Sequence, residues 1–82
     1  MQINVRLSGD LARAVGRPRV IVTVAEPATV RDLIAALVVA HPQDEAAFTG
    51  AVAMVGGRHV GPNQPLEPNR DVALLTPIAG GF

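Results

Sequence analysis

The chain has no cysteine, lysine, tryptophan or tyrosine, and its only phenylalanines are Phe48 and Phe82. Without cysteine there are no disulfides, no thiolate metal site and no side-chain sulfur nucleophile. With so few aromatic rings the fold rests on aliphatic packing, and the stacking platforms that hold single-stranded nucleic acid are missing. Seven acidic and seven basic residues cancel, and all seven basic residues are arginine. This balance offers none of the basic excess that marks a nucleic-acid footprint. Long apolar runs are also lacking: the stretch from Leu33 to Ala40 falls well short of the ~20 residues that cross a bilayer. The N-terminus enters an alternating pattern at once, without the basic segment, apolar run and cleavage site of a signal peptide. The expectation is a cytoplasmic protein with no membrane and no nucleic-acid partner.

What is present suffices for one domain. In 82 residues, 49% are hydrophobic, mostly Val, Ala, Leu and Ile, dispersed among polar residues and turn signals. A chain this short buries only about 60% of its unfolded surface, so its core has to be efficient. Residues 2–8 alternate, with Ile3, Val5 and Leu7 on one side and Gln2, Asn4 and Arg6 on the other, as in a half-buried strand. Leu11 to Val15 suit a short helical turn closed by Gly16. Arg19 to Ala25 read as a second strand with Val20, Val22 and Val24 on one face, pairing antiparallel with the first.

Thr29 and Asp32 then stand where a capping box would put its hydroxyl and its acid. Val30, Leu33, Ile34, Leu37 and Val38 share one helical face, and Pro42 ends the helix near His41. Residues 44–48 add a short turn with Phe48 as a core plug. Ala51 to Val55 and Arg58 to Val60 form a hairpin about Gly56-Gly57. Leu66 anchors the loop that follows, and Val72 to Thr76 form the last strand. Pro77, lacking an N–H, stops sheet pairing, so residues 77–82 leave the body as a tail. The order is strand, strand, helix, strand, short strand, strand. It implies an α+β fold: a mixed sheet of about five strands with one main helix on one face.

Side chains suited to catalysis or metal binding are few. His41 and His59 are the only histidines, and a zinc site needs three or four ligands. His41 stands at a helix end and reads as structural; His59 reads as exposed. Ser8 is the only serine and has no triad around it. Gly56-Gly57 lacks the strand–loop–helix context of a phosphate-binding loop and reads as a turn. No catalytic residue, no metal site and no bound cofactor are expected.

The chemistry points instead to Ile78-Ala79-Gly80-Gly81-Phe82. Glycine has no Cβ, so a Gly-Gly tail makes a thin thread that passes into another protein's active site. Pro65-Leu66, Asn69-Arg70-Asp71-Val72-Ala73-Leu74-Leu75 and Pro77-Ile78-Ala79-Gly80-Gly81 resemble the "PL", "DGDEV"-type turn, apolar strand and "PPVAGG" of the ubiquitin-like β-grasp sulfur carriers, the MoaD/ThiS family. Leu11 to Gly16 are similar to that family's short first helix. The molybdopterin synthase small subunit is the closest look, and the resemblance covers essentially the whole chain.

The resemblance implies a β-grasp domain over residues 1–76 and a flexible tail over 77–82. It also implies a carrier with no catalysis of its own, or the non-catalytic small subunit of a synthase. Gly81 becomes the adenylation and thiocarboxylate site. Pro77, Ile78, Ala79 and Gly80 thread the tail, and Leu75, on the sheet face away from the helix, docks partners. The implied partners are a ubiquitin-activating-type adenylyltransferase that uses ATP and a sulfur-accepting synthase or sulfhydrylase. The family's active form ends at Gly-Gly, so Phe82 marks a processing site for a JAMM-type zinc peptidase. Molybdopterin synthesis is the expected pathway. Cysteine, methionine or specialised-metabolite synthesis, or protein modification, are the alternatives. The missing lysine means that a modifier of this sequence forms no lysine-linked chains of itself; its N-terminal amine is the acceptor left.

Overall fold

The N-terminal alternation becomes strand β1 (Gln2–Leu7), with Ile3, Val5 and Leu7 buried and Gln2, Asn4 and Arg6 exposed. A computed structural model describes residues 1–77 of the chain. In chain order there follow α1 (Gly9–Val15), β2 (Arg19–Thr23), α2 (Val30–Ala40), a 3-10 turn (Pro42–Asp44), α3 (Glu45–Thr49), β3 (Val52–Val55), β4 (Arg58–Val60) and β5 (Val72–Leu75). The sheet order is β2-β1-β5-β3-β4. The central pair β1–β5 is parallel, and the other pairs are antiparallel. A parallel pair requires a crossover, and the main helix α2 lies in the connection between these two strands.

The core lies between α2 and one face of the sheet. Ile3, Val5, Leu7, Val72, Leu74 and Ala53 supply it from the strands; Val30, Leu33 and Leu37 supply it from α2. Phe48 of α3 is fully buried, in keeping with the core plug expected at that position. Ile34 and Val38 are only half-buried, and Val39 is 82% exposed. An eleven-residue helix over a five-stranded sheet buries a stripe narrower than its apolar residues span.

Local signals explain the element ends. The Asp32 carboxylate accepts from the Thr29 N–H at 2.8 Å and from the Thr29 hydroxyl at 3.2 Å, holding the first turn of α2. Two further N–H groups there, those of Val30 and Arg31, donate to the carbonyls of Gln64 and Pro62 at 3.0 and 2.9 Å. The irregular loop after β4 therefore caps α2, and Leu66 N–H donates to Ala28 O at 2.9 Å, which fixes Leu66 as the expected anchor. In the β3–β4 hairpin Val55 pairs with Arg58, leaving Gly56 and Gly57 as a two-residue turn with φ of 60° and 77°. Positive φ at both positions is the type I′ requirement that favours glycine.

Several boundaries differ from the sequence expectation: β3 begins at Val52, not at Ala51, and α3 runs from Glu45 to Thr49, not over 44–48. β2 ends at Thr23, not at Ala25. Val24 leaves the ladder but stays buried, its N–H donating to Met1 O at 2.9 Å. As an edge strand β2 is only partly covered, so Val20 and Val22 are half-buried. α1 begins at Gly9, two residues before Leu11, because Ser8 is its N-cap. β5 ends at Leu75, one residue early, leaving Thr76 and Pro77 outside the ladder.

Candidate functional site

β5 is the middle strand of the sheet, and the chain exits the sheet after Leu75, at Thr76 and Pro77. Its burial alternates: Val72 and Leu74 are buried, while Ala73 and Leu75 are half-buried on the face away from α2. On that open face Leu75 is level with Val52 of β3 and Ala73 is level with Met54. Two neighbouring strands thus present Leu75, Val52, Ala73 and Met54 as one apolar area beside the exit. The exit itself is anchored: the Ser8 N–H, at the end of β1, donates to Leu74 O at 3.2 Å. Pro77 follows, exposed and outside the sheet. Ile78, Ala79, Gly80, Gly81 and Phe82 lie outside the described residues.

The other chemistry-bearing residues stay apart. The His41 ring packs against Phe48, with ring centroids 6.1 Å apart, and the His41 backbone N–H donates to Leu37 O at 2.9 Å, closing α2. His59 is exposed on β4, level with Met54. Ser8 caps α1. Among the described residues no group of three or more His, Asp or Glu side chains is placed to hold a metal ion. Among the same residues no helix is long and apolar enough to cross a membrane. Among the described residues the body presents an apolar open face beside the hydrogen-bonded end of β5.

The family profile described as the ThiS family matches residues 5–81. The chain belongs to the ThiS family. No curated protein matches it by sequence. Among solved structures, small archaeal modifier protein 1 from Haloferax volcanii superposes with a TM-score of 0.84 at 28% identity, over 99% of this chain and 100% of that one. A protein assigned as molybdopterin converting factor, subunit 1, from Pyrococcus furiosus gives 0.83 at 20% identity, covering 95% and 99%. Subunit 1 in the protein–protein complex of subunits 1 and 2 of the molybdopterin-converting factor from Helicobacter pylori 26695 gives 0.67 at 17% identity, covering 99% and 100%. These likenesses bear out the ubiquitin-like β-grasp fold. The ThiS assignment places the chain among the ubiquitin-like sulfur carriers and modifiers, a family of small carrier proteins.

Sequence reasoning singled out Leu75 alone on the open face. Val52 and Met54 were missed as its neighbours, because their strand pairs with β5 across a gap of some sixteen residues. Alternation assigns faces within a strand, but it does not say which strands adjoin.

Proposed function

We propose that this chain is a sulfur carrier whose Gly81, freed by hydrolysis of the Gly81–Phe82 bond, is adenylated and then converted to a thiocarboxylate. The observation that carries this reading is the extent of the family match, which runs through Gly80 and Gly81 and leaves Phe82 outside. The peptidase implied is of the JAMM zinc type, and the activating enzyme is a ubiquitin-activating-type adenylyltransferase.

The chemistry needs little from the body. A carboxylate acylates poorly until it has a good leaving group. The Gly81 carboxylate oxygen attacks the α-phosphorus of ATP and pyrophosphate departs. Hydrosulfide from a sulfur donor then attacks the acyl carbon, AMP departs with the bridging oxygen, and the carboxylate has exchanged one oxygen for sulfur. ATP is a substrate of the activating enzyme, and the carrier itself holds no cofactor. Pro77 to Gly80 form the thread that reaches the partner's site, while Leu75 and its neighbours hold the body against that partner. For the sulfur acceptor we favour a molybdopterin synthase large subunit, on the resemblance of residues 65–81. A sulfhydrylase in amino-acid or specialised-metabolite synthesis is the alternative that Phe82 favours.

A second reading, protein modification, is supported by the identities of 28% and 27% to the two Haloferax volcanii modifier structures. It shares the adenylation step and differs in the nucleophile: a substrate amine opens the adenylate and forms an isopeptide bond.

The test is the intact mass of the protein isolated from its host. Loss of Phe82 with exchange of one oxygen for sulfur is expected. Covalent adducts without thiocarboxylate would establish the modifier reading. A full-length unmodified mass in cells running the pathway would overturn both. In vitro, a chain ending at Gly81 supports ATP–pyrophosphate exchange by the adenylyltransferase without the peptidase; dependence on the peptidase in that form would refute the processing step.

A further inference from the structure

The two edges of the sheet are finished differently. β4, at one edge, is three residues long, exposes Arg58 and His59, and is followed closely by Pro62. Short length, charge and proline are the devices that keep an edge from pairing with another chain. β2, at the other edge, has five residues, an unbroken register with β1 and no proline. It leaves Ile21 65% exposed, one of two large apolar side chains in solvent among the described residues. The ladder also shows which backbone groups of β2 lack partners. The Met1 amine donates to Val24 O at 2.7 Å, and Val24 N–H donates to Met1 O at 2.9 Å. Pairs that exchange hydrogen bonds alternate with pairs that do not in an antiparallel ladder. With Ile3 opposite Val22 and Val5 opposite Val20, the groups of Val20, Val22 and Val24 turn toward β1. Those of Arg19, Ile21 and Thr23 therefore point outward, and none of these three N–H and three C=O groups has a partner among the described residues.

We propose that β2 pairs with β2 of a second copy of this chain, antiparallel about a two-fold axis at Ile21. The strand is its own complement in that register. Ile21 lies opposite Ile21 and Arg19 opposite Thr23, so every outward N–H and C=O of β2 finds a partner. Moving the axis one residue either way sets an outward group against residues beyond the strand. The same register puts no cation opposite another. The two Arg19 residues stand four positions, or ~14 Å, apart along the strands, beyond the Debye length of ~8 Å at physiological salt. On the inner face the half-buried Val20 of each copy meets Val22 of the other. Such β-branched cross-strand pairs favour association. The contact is isologous and closed, so it stops at two copies and makes no fibre. The axis is normal to the sheet, which keeps both α2 helices on one face of a continuous sheet. The two β5 strands lie five strand spacings apart, ~24 Å, and run in opposite directions. Both β5 ends thus stay clear of the contact, and the pairing holds whatever the tail carries.

One short strand from each copy falls far below the ~20–30 residues a side of a standard interface, so the dimer is weak, with a Kd on the order of 1 mM. The experiment compares the full 82-residue chain at ~20 µM and ~1 mM by diffusion NMR and residue-resolved amide exchange. About half the chains are expected in dimers at ~1 mM, against ~4% at ~20 µM. The amides of Arg19, Ile21 and Thr23 are expected to exchange about twofold more slowly at the higher concentration, following the paired fraction. Those of Val20, Val22 and Val24 are expected to be protected equally at both, because β1 holds them. Ile21→Lys sets two like charges on the axis and is expected to abolish both concentration effects while keeping the urea midpoint, since the side chain is exposed. Ile21→Val is expected to keep both effects. A monomer at ~1 mM with unchanged exchange at Arg19, Ile21 and Thr23 would overturn the inference. Protection of these amides at both concentrations would also overturn it, by showing the edge covered from within the chain. Self-association that leaves them unprotected, or that persists in Ile21→Lys, would place the contact elsewhere and overturn it too.

Discussion

Leu75 gives the sharpest test of how body and tail divide the work. It is half-buried, level with Val52, and outside the core formed under α2. Full burial of a leucine side chain stabilises by ~1.5–3 kcal/mol. The free protein already realises about half of that, so a partner covering the remainder gains ~0.7–1.5 kcal/mol, or ~3–13-fold in Kd. Leu75→Ala should weaken binding to the adenylyltransferase by that factor. Leu75→Glu should do more, since docking would strip water from a new carboxylate; even ~2 kcal/mol of desolvation adds a further ~30-fold. The cost to folding should stay small. Losing the half-buried leucine removes ~0.7–1.5 kcal/mol, against a total of ~4–12 kcal/mol for a domain of this length. The assays are titration calorimetry with the partner and urea unfolding of the free chain, run on the same preparations. Wild-type affinity in Leu75→Glu would refute the docking argument. A loss above ~3 kcal/mol in Leu75→Ala would also refute it, by showing that the side chain belongs to the core.

Phe48, fully buried and the only aromatic ring among the core residues, should cost ~3–5 kcal/mol as Phe48→Ala, a large share of the total; a urea midpoint within a few tenths molar of wild type would contradict this. Asp32→Ala removes the acceptor for the Thr29 N–H and should lower stability by ~1 kcal/mol without changing partner affinity, since α2 covers the face of the sheet opposite the docking surface.

Most of the fold was legible because its signals are local. The alternation of Ile3, Val5 and Leu7, the Thr29–Asp32 box, the Gly56-Gly57 turn and the breaks at Pro42 and Pro77 each act within a few residues. What could not be read depends on contacts distant in sequence. The cap that Pro62 and Gln64 place on α2 turns an apparently irregular loop into part of a helix terminus. The early end of β2 reflects an edge position that only the strand order reveals. For the candidate site, Leu75 came with the resemblance, whereas Val52 and Met54 as its neighbours required the register. The tail motif was legible as composition alone, and its residues 78–82 lie outside the described part of the chain.

The carrier and modifier readings share a carboxylate, an adenylate and a docking face, so geometry near the sheet does not separate them. The sequence does supply one separating consequence. Once Gly81 is an acyl-adenylate, the nucleophile decides the product, and a modifier commonly extends by attaching to side-chain amines of its own kind. This chain has no lysine, and a guanidinium stays protonated and does not act as an amine nucleophile. If the protein modifies others, its adducts should therefore show no ladder of side-chain-linked copies, the N-terminal amine being the one acceptor left for a further copy. Mass spectrometry of adducts purified from the host under denaturing conditions checks this. A ladder whose peptides show this chain joined through its own side chains would refute the amine argument. A product pool containing thiocarboxylate and no adducts would leave sulfur as the nucleophile that the adenylate meets.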